Sequence, residues 1–179
     1  DKTIAVDTPR GERLADIKLP SQPGPAKEFS DVKTGDWYKD TVDQVTGLGL
    51  FSGTSASSFS PGAPLTRGML VTILHRLSGE VGFGEGSSAF PDVKADAWYA
   101  KAVDWASATG VTAGAGEGFD PDGRITREQL VTMLYRYAVM IGQDSGKTAS
   151  LNGFPDAATV SSYAQAAMKW AVAEGLVQG

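Results

Sequence analysis

The chain has 179 residues, a formal charge of −5 and no cysteine. A net acidic chain is a poor candidate for binding nucleic acid, and the lack of cysteine excludes disulfides, thiolate metal sites and a cysteine nucleophile. No apolar run approaches the length of about 20 residues that a membrane-spanning helix needs, so we expect no membrane insertion.

Residues 1–28 differ from the rest of the chain and look like an arm or linker from an upstream domain. They contain four prolines, Pro9, Pro20, Pro23 and Pro25. The Thr8-Pro9 pair, followed by Leu14 and Ile17, is compatible with the start of one short helix, because proline is tolerated in a first helical turn.

From Phe29 onward one pattern occurs three times. It reads FSDVKTGDWYKDTV from Phe29, FPDVKADAWYAKAV from Phe90 and FPDAATVSSYAQAA from Phe154, with starts about 60 residues apart. Each start leads to a segment bounded by two glycines, which reads GLFSG at 49–53, GVTAG at 110–114 and GLVQG at 175–179. Because the Asp, Tyr and Gly positions stay aligned, the pattern indicates internal duplication.

The repeats define the predicted organisation of the chain. A first unit covers residues 29–88, a second unit covers 89–152, and the first half of a third unit covers 153–179. The linkers, Ser78 to Ala89 and Gly142 to Gly153, are rich in glycine and serine. The first two units continue to a Thr-Arg motif, whereas the sequence reaches Gly179 before the third unit does.

Each unit is predicted to begin with a helix. In the second unit this helix should run from about Ala97 to Thr109, with Tyr99, Val103 and Ala106 on one apolar stripe. The equivalent stripes are Tyr38, Val42 and Val45 in the first unit, and Tyr163, Ala167 and Trp170 in the third. Gly49, Gly110 and Gly175 stand where a C-terminal glycine cap belongs.

A second helix should follow in the two complete units. It begins at Thr126, which forms a capping box with Gln129, and at Thr66, where Met69 leaves a simpler cap. The apolar stripes are Leu130, Val131, Leu134 and Tyr137, and in the first unit Leu70, Val71, Leu74 and Leu77. The sequence therefore predicts an all-α protein of tandem helix–loop–helix units.

The stretch FDPDGRITREQL, which starts at Phe119, resembles a calcium loop but lacks essential ligands. With Gly123 at position 6 of an EF-hand loop, Asp120 and Asp122 fall at positions 3 and 5. Positions 1 and 12, however, are then Gly118 and Gln129. We predict a turn that leads to a capped helix, and no metal site.

Both complete units place an arginine, Arg67 or Arg127, in the first turn of the second helix. A cation there has the wrong sign for the helix dipole, so helix stability does not explain it. Beside the unpaired N–H groups of a helix start, an arginine suits a carboxylate ligand. A salt bridge to an acidic residue of a neighbouring unit is the alternative, and the sequence leaves both open.

The spaced pattern F-x-D-V, W-Y, G-[LV]-x-x-G, F-x-P and [LI]-T-R closely resembles S-layer homology domains over residues 29 to 179. The resemblance implies a pseudo-threefold bundle of helices, shaped as a three-pronged spindle, on the surface of a bacterium. It also implies a non-catalytic module without cofactors that binds secondary cell wall polysaccharide, often pyruvylated and acidic, in grooves between repeats. The third unit departs from the pattern at Ser162, and the first at Gly68-Met69.

The resemblance also implies ligand-binding residues. They are Asp31, Trp37, Gly53 and Arg67 in the first unit, Asp92, Trp98, Gly114 and Arg127 in the second, and Asp156 and Gly179 in the third. We expect a site that contains Arg127, because the second unit is the most complete.

Several of these residues also have structural explanations. The tryptophans suit a core, the aspartates suit caps or turns, and the glycines suit turns. The lone His75 aligns with Tyr135 and is better explained as an aromatic position than as a metal ligand.

Two further hypotheses remain at this stage. The repeats would also serve as a protein-interaction or self-assembly module, with self-association through the incomplete third repeat and through partly exposed Leu70, Leu74, Leu130 and Leu134. Catalysis by paired carboxylates is disfavoured, because Asp31 and Asp92 occupy equivalent places in separate repeats.

Overall fold

The computed structural model describes residues 6–7, 13–14, 24–79, 90–143 and 146–178, and in these ranges the repeats are helical. The helices are α1 (Lys39–Gly47), α2 (Arg67–Leu77), α3 (Ala100–Ala108), α4 (Arg127–Met140) and α5 (Gln165–Ala173). Two 3-10 turns, Ala157–Thr159 and Ser162–Ala164, precede α5. The predicted all-α class is confirmed for the repeats.

The arm contains a short antiparallel pair of strands, β1 (Val6–Asp7) and β2 (Arg13–Leu14). The short helix considered for this region is therefore wrong at Leu14, whose backbone pairs with Val6 and so cannot also satisfy a helix. Ile17 lies outside the described residues.

The first helix of each unit ends as the sequence predicts. Gly49, Gly110 and Gly175 have φ of +71°, +76° and +72°, a left-handed conformation that glycine adopts without strain and that commonly ends helices. The start of α3 is later than predicted, because Ala97 to Tyr99 form a turn in which the Ala100 N–H donates to the Ala97 carbonyl at 3.0 Å.

The second helices also begin where predicted. The Thr126 hydroxyl accepts from the Gln129 N–H, and the Gln129 side chain accepts from the Thr126 N–H, so the capping box is present. In the first unit Thr66 accepts from the Met69 N–H alone.

The second helix of one unit packs against the first helix of the next unit. The largest core joins α2 to α3 through buried side chains that include Leu70, Val71, Leu74, Val103 and Trp105. A second core joins α4 to α5 and includes Val131, Ala138, Ala167 and Trp170. The described residues show this packing of a second helix on the first helix of the next unit twice. Closure of three units into a spindle stays a prediction.

The packing corrects two expectations about apolar residues. Leu70 and Leu74 are buried against α3 rather than partly exposed, whereas Leu130 and Leu134 are half-buried, as expected. Tyr163, predicted on an inward stripe, is 51% exposed, because its hydroxyl reaches outward to donate to the Glu128 carboxylate at 3.0 Å.

Candidate functional site

Asp31 and Asp92 fasten the loop that leads to the second helix of their own unit. The N–H groups of Phe59 and Ser60 donate to the Asp31 carboxylate at 2.9 and 2.8 Å. In the second unit, the N–H groups of Phe119 and Asp120 donate to Asp92 at distances down to 2.8 and 2.7 Å. These hydrogen bonds lower the pKa of both aspartates.

The fastened loops have an unusual backbone. Ser60 and Asp120 occupy equivalent positions with φ of +61° and +56°, which is uncommon for residues other than glycine. The carboxylates of Asp31 and Asp92 bind the N–H groups of these same residues. These contacts therefore show that the two aspartates stabilise turns, which is one of the structural explanations that the sequence left open.

Gly53 and Gly114 are required by local geometry. Their φ values are +79° and +86°, and a Cβ at either would lie 2.5 Å from a ring carbon of Phe29 or Phe90. No other residue fits there without displacing the ring. Gly179, the predicted counterpart in the third unit, lies outside the described residues.

Arg67 is enclosed between units. Its side chain is 3% exposed, its Nε donates to the Phe119 carbonyl at 2.7 Å, and its guanidinium lies 4.9 Å from the centre of the Phe119 ring. Its Nη2 is buried without a hydrogen-bond partner among the described residues. Burial lowers the pKa of Arg67, opposed chiefly by the charge of Asp120.

The start of α2 is already occupied. The N–H of Arg67 donates to the Gly123 carbonyl at 3.0 Å, and the N–H of Gly68 donates to the Pro121 carbonyl at 2.8 Å. The prediction of unpaired N–H groups beside this arginine is thus wrong for the first unit. The salt-bridge alternative is not realised either, since no carboxylate of the described residues lies within 4.0 Å of Arg67.

Arg127, the equivalent arginine, is exposed at the start of α4. Its neighbour Glu128 makes the contacts to the third unit, accepting from the Ser161 N–H and hydroxyl at 2.9 Å each and from the Tyr163 hydroxyl. These bonds lower the pKa of Glu128. Sequence reasoning missed Glu128. The signal that could have found it is that the first unit has Gly68 at the repeat position where the second unit has Glu128.

Close packing explains why the first unit has Gly68 where the second unit has Glu128. A Cβ there would lie 3.0 Å from the Pro121 carbonyl and 3.3 Å from the Tyr99 ring. The two junctions between units therefore use different chemistry at the same position, close packing in one and hydrogen bonding in the other.

Trp37 and Trp98 lie on the surface. They are 92% and 60% exposed, and their ring contacts among the described residues are edge-on, to the neighbouring Tyr38 and Tyr99 rings at 5.4 and 5.1 Å. The alternative of core aromatics is wrong, because the tyrosines occupy the inward positions. An exposed indole of this kind provides a large apolar surface that a partner or a ligand would bury.

A groove of about 730 Å³ lies between the first unit and Trp98 of the second. Of the ten predicted site residues it brings together Trp98 and Gly53. The wall between them is one face of α2, formed by Met69, Thr72, Ile73 and Arg76, which recur at helical spacing. Arg76 was missed by sequence reasoning, although that spacing places it on this face.

A smaller apolar cleft of about 420 Å³ runs beside α4, with Arg127 at its side. Leu130, Val131, Leu134 and Leu176 are among the residues that line it. Leu176 is 57% exposed, whereas Val111, its counterpart in the second unit, is fully buried in the core that joins α2 to α3.

The remaining predicted positions take no part in either cavity. Asp156 is exposed, and its carboxylate accepts no hydrogen bond from the other described residues. The His75 ring lies 5.3 Å from the Trp105 ring, as expected for an aromatic position. Within the described ranges, no three His, Asp or Glu side chains gather into a metal site, and no helix is long and apolar enough to cross a bilayer.

Comparison with known proteins gives a family match in three segments. The model of the S-layer homology domain matches residues 28–68, 89–131 and 153–179. An amylopullulanase of Thermoanaerobacterium thermosulfurigenes is 28% identical over 86% of this chain and 8% of its own length. The surface-layer 125 kDa protein of Lysinibacillus sphaericus is 30% identical over 82% of this chain and 12% of its own length.

An exoglucanase, XynX, of Acetivibrio thermocellus is 26% identical over 84% of this chain and 14% of its own length. The matched region is thus a small part of each of these relatives, whose names describe both enzymes and surface-layer proteins.

Proposed function

Because the chain belongs to the S-layer homology domain family, we propose that it is a non-catalytic module that anchors a protein to a bacterial cell wall or surface layer. The relatives support this, because the region that matches this chain occurs in an amylopullulanase, in an exoglucanase and in a surface-layer protein. The equivalent, loop-fastening contacts of Asp31 and Asp92 also favour structural repetition over a catalytic pair.

The proposed ligand is secondary cell wall polysaccharide, in the acidic, pyruvylated form, bound in the groove that Trp98 closes. The observation that carries the proposal is the 60% exposed indole of Trp98 beside a concave surface. An indole face packs on the apolar face of a sugar ring, and the hydroxyls of Thr54 and Ser60 line the same groove. The predicted residues that do not line this groove, which include Arg67, Arg127 and Trp37, stay predictions on which this proposal does not depend.

The test is calorimetric titration of the chain with purified pyruvylated polysaccharide. We expect binding that Trp98→Ala weakens about tenfold or more, as truncation of an aromatic anchor does. Trp37→Ala is the matched control, because Trp37 occupies the equivalent repeat position but does not line this groove. Equal losses for the two variants, or no binding by the unsubstituted chain, would contradict the proposal.

The alternative of a protein-interaction or self-assembly module is favoured by the cleft beside α4 and by exposed Leu176. Apolar surface of this kind promotes association. If this function holds, sedimentation shows dimers whose fraction rises with concentration and falls in Leu176→Asp. A chain that stays monomeric at all concentrations would contradict the self-assembly form of this candidate.

A further inference from the structure

We propose that Arg76, and not Arg67, is the residue with which the groove beside Trp98 selects an anionic saccharide. This inference rests on the proposed polysaccharide function. Arg67 is unsuited to direct contact because it does not line the groove and its guanidinium is enclosed. Its Nε is committed to the Phe119 carbonyl, and its Nη2 has no exposed surface through which a ligand could reach it.

Arg76 has the opposite properties. It is half-buried on the groove face of α2, and its Nη1 donates to the Leu50 carbonyl at 3.0 Å and to the Ser52 hydroxyl at 3.4 Å. These bonds hold the guanidinium at the wall of the groove. Its Nε and Nη2 bond to no other described residue, so two donors stay available for a planar anion such as a carboxylate.

Of the described residues that line the groove, Arg76 alone carries a charge and none is acidic. The guanidinium therefore lies among lining residues that are largely apolar and that offer it no carboxylate. In such surroundings a carboxylate gains more from a charge-assisted hydrogen bond than it would in water.

The second unit provides an internal comparison. Its equivalent arginine is Arg136, but Ser162 stands in the place of Trp98. Met133 is buried where Ile73 is half-exposed, so the corresponding face of α4 offers less apolar surface at this position. Arg136 is thus a matched control for Arg76, with the same residue type at the same repeat position but without the aromatic partner.

The experiment compares two probes, the pyruvylated polysaccharide and the same polysaccharide after acid removal of its ketals. Both are titrated into the unsubstituted chain, Arg76→Gln, Arg76→Lys and Arg136→Gln, with thermal melts to confirm folding. We expect the unsubstituted chain to prefer the pyruvylated form. Arg76→Gln should weaken that form about tenfold or more and leave the neutral form unchanged. Arg76→Lys should restore part of the preference, and Arg136→Gln should keep all of it.

Each contrary outcome has its own meaning. If the unsubstituted chain binds both probes equally, or Arg76→Gln keeps the preference, the role of Arg76 is overturned while polysaccharide binding stands. If Arg76→Gln weakens both probes alike, Arg76 only shapes the loop at Leu50 and the selectivity role is overturned. If the unsubstituted chain binds neither probe, the polysaccharide function fails together with this inference.

Discussion

Arginines in equivalent repeat positions have different surroundings among the described residues. Arg67 is buried between units, whereas Arg127 is exposed. The loop from Phe119 to Gly123 of the second unit covers the start of α2. The described residues end at Gln178, before the third unit reaches the equivalent stretch, so no such loop of the described residues lies on α4. The environment of each arginine is therefore set by the neighbouring unit, not by its own helix.

At this scale we predict that acid weakens the fold through Asp31 and Asp92. Backbone hydrogen bonds lower the pKa of each carboxylate in the folded state, so their stabilisation is full above the unfolded pKa of about 3.9 and is lost as pH falls through the lower, folded pKa. Thermal melts of the chain and of Asp92→Asn should differ at pH 7 and begin to converge as the pH falls below about 4.

Asp96→Asn is the control for that experiment, because Asp96 is an exposed aspartate of the same unit. A difference between Asp92→Asn and the unsubstituted chain that stays constant down to the lowest pH would contradict the linkage.

Among the elements, the second helix of each unit carries the contacts between units. α2 buries its apolar face on α3, and α4 buries its face on α5. The two junctions are completed differently, by Gly68 against the Tyr99 ring and by Glu128 on Ser161 and Tyr163. The second helix, which the sequence shows only as part of each repeat, thus joins one repeat to the next in the structure.

We predict that Glu128→Gln loosens the third unit. The amide keeps the side-chain volume but lacks the charge that strengthens the three hydrogen bonds from Ser161 and Tyr163. Because the side chain is partly exposed, we expect a loss of about 1 kcal/mol in the free energy of unfolding. Hydrogen exchange should become faster in α5 and stay unchanged in α3.

The matched control is Glu117→Gln, since Glu117 is exposed and makes no hydrogen bond to the other described residues. Equal exchange in α5 for the two variants would show that Glu128 does not hold the junction.

For the molecule as a whole, the third unit leaves apolar surface on which a further helix would pack. Leu176 is exposed where its counterpart Val111 is buried, and the apolar cleft lies beside it. A helix equivalent to α4, placed after the third unit, would bury this surface.

We therefore predict that a version with a complete third unit is more stable than this chain. Residues 115–143, appended after Gly179, would supply the segment, since Gly179 aligns with Gly114. Each kcal/mol gained should raise the melting midpoint by about 2–4 °C. The control carries aspartate at the appended copies of Leu130 and Leu134. Equal midpoints for the complete version and the unextended chain would contradict the prediction.

The amino-acid sequence by itself determined the repeats, the helix boundaries near Gly49 and Gly110, and the cap at Thr126, because periodicity, glycine and capping act over a few neighbouring residues. Only the tertiary structure decided that Arg67 is buried and that Trp98 and Arg76 share a groove. These outcomes depend on which unit packs against which, and side chains from different repeats meet through contacts that no local pattern records.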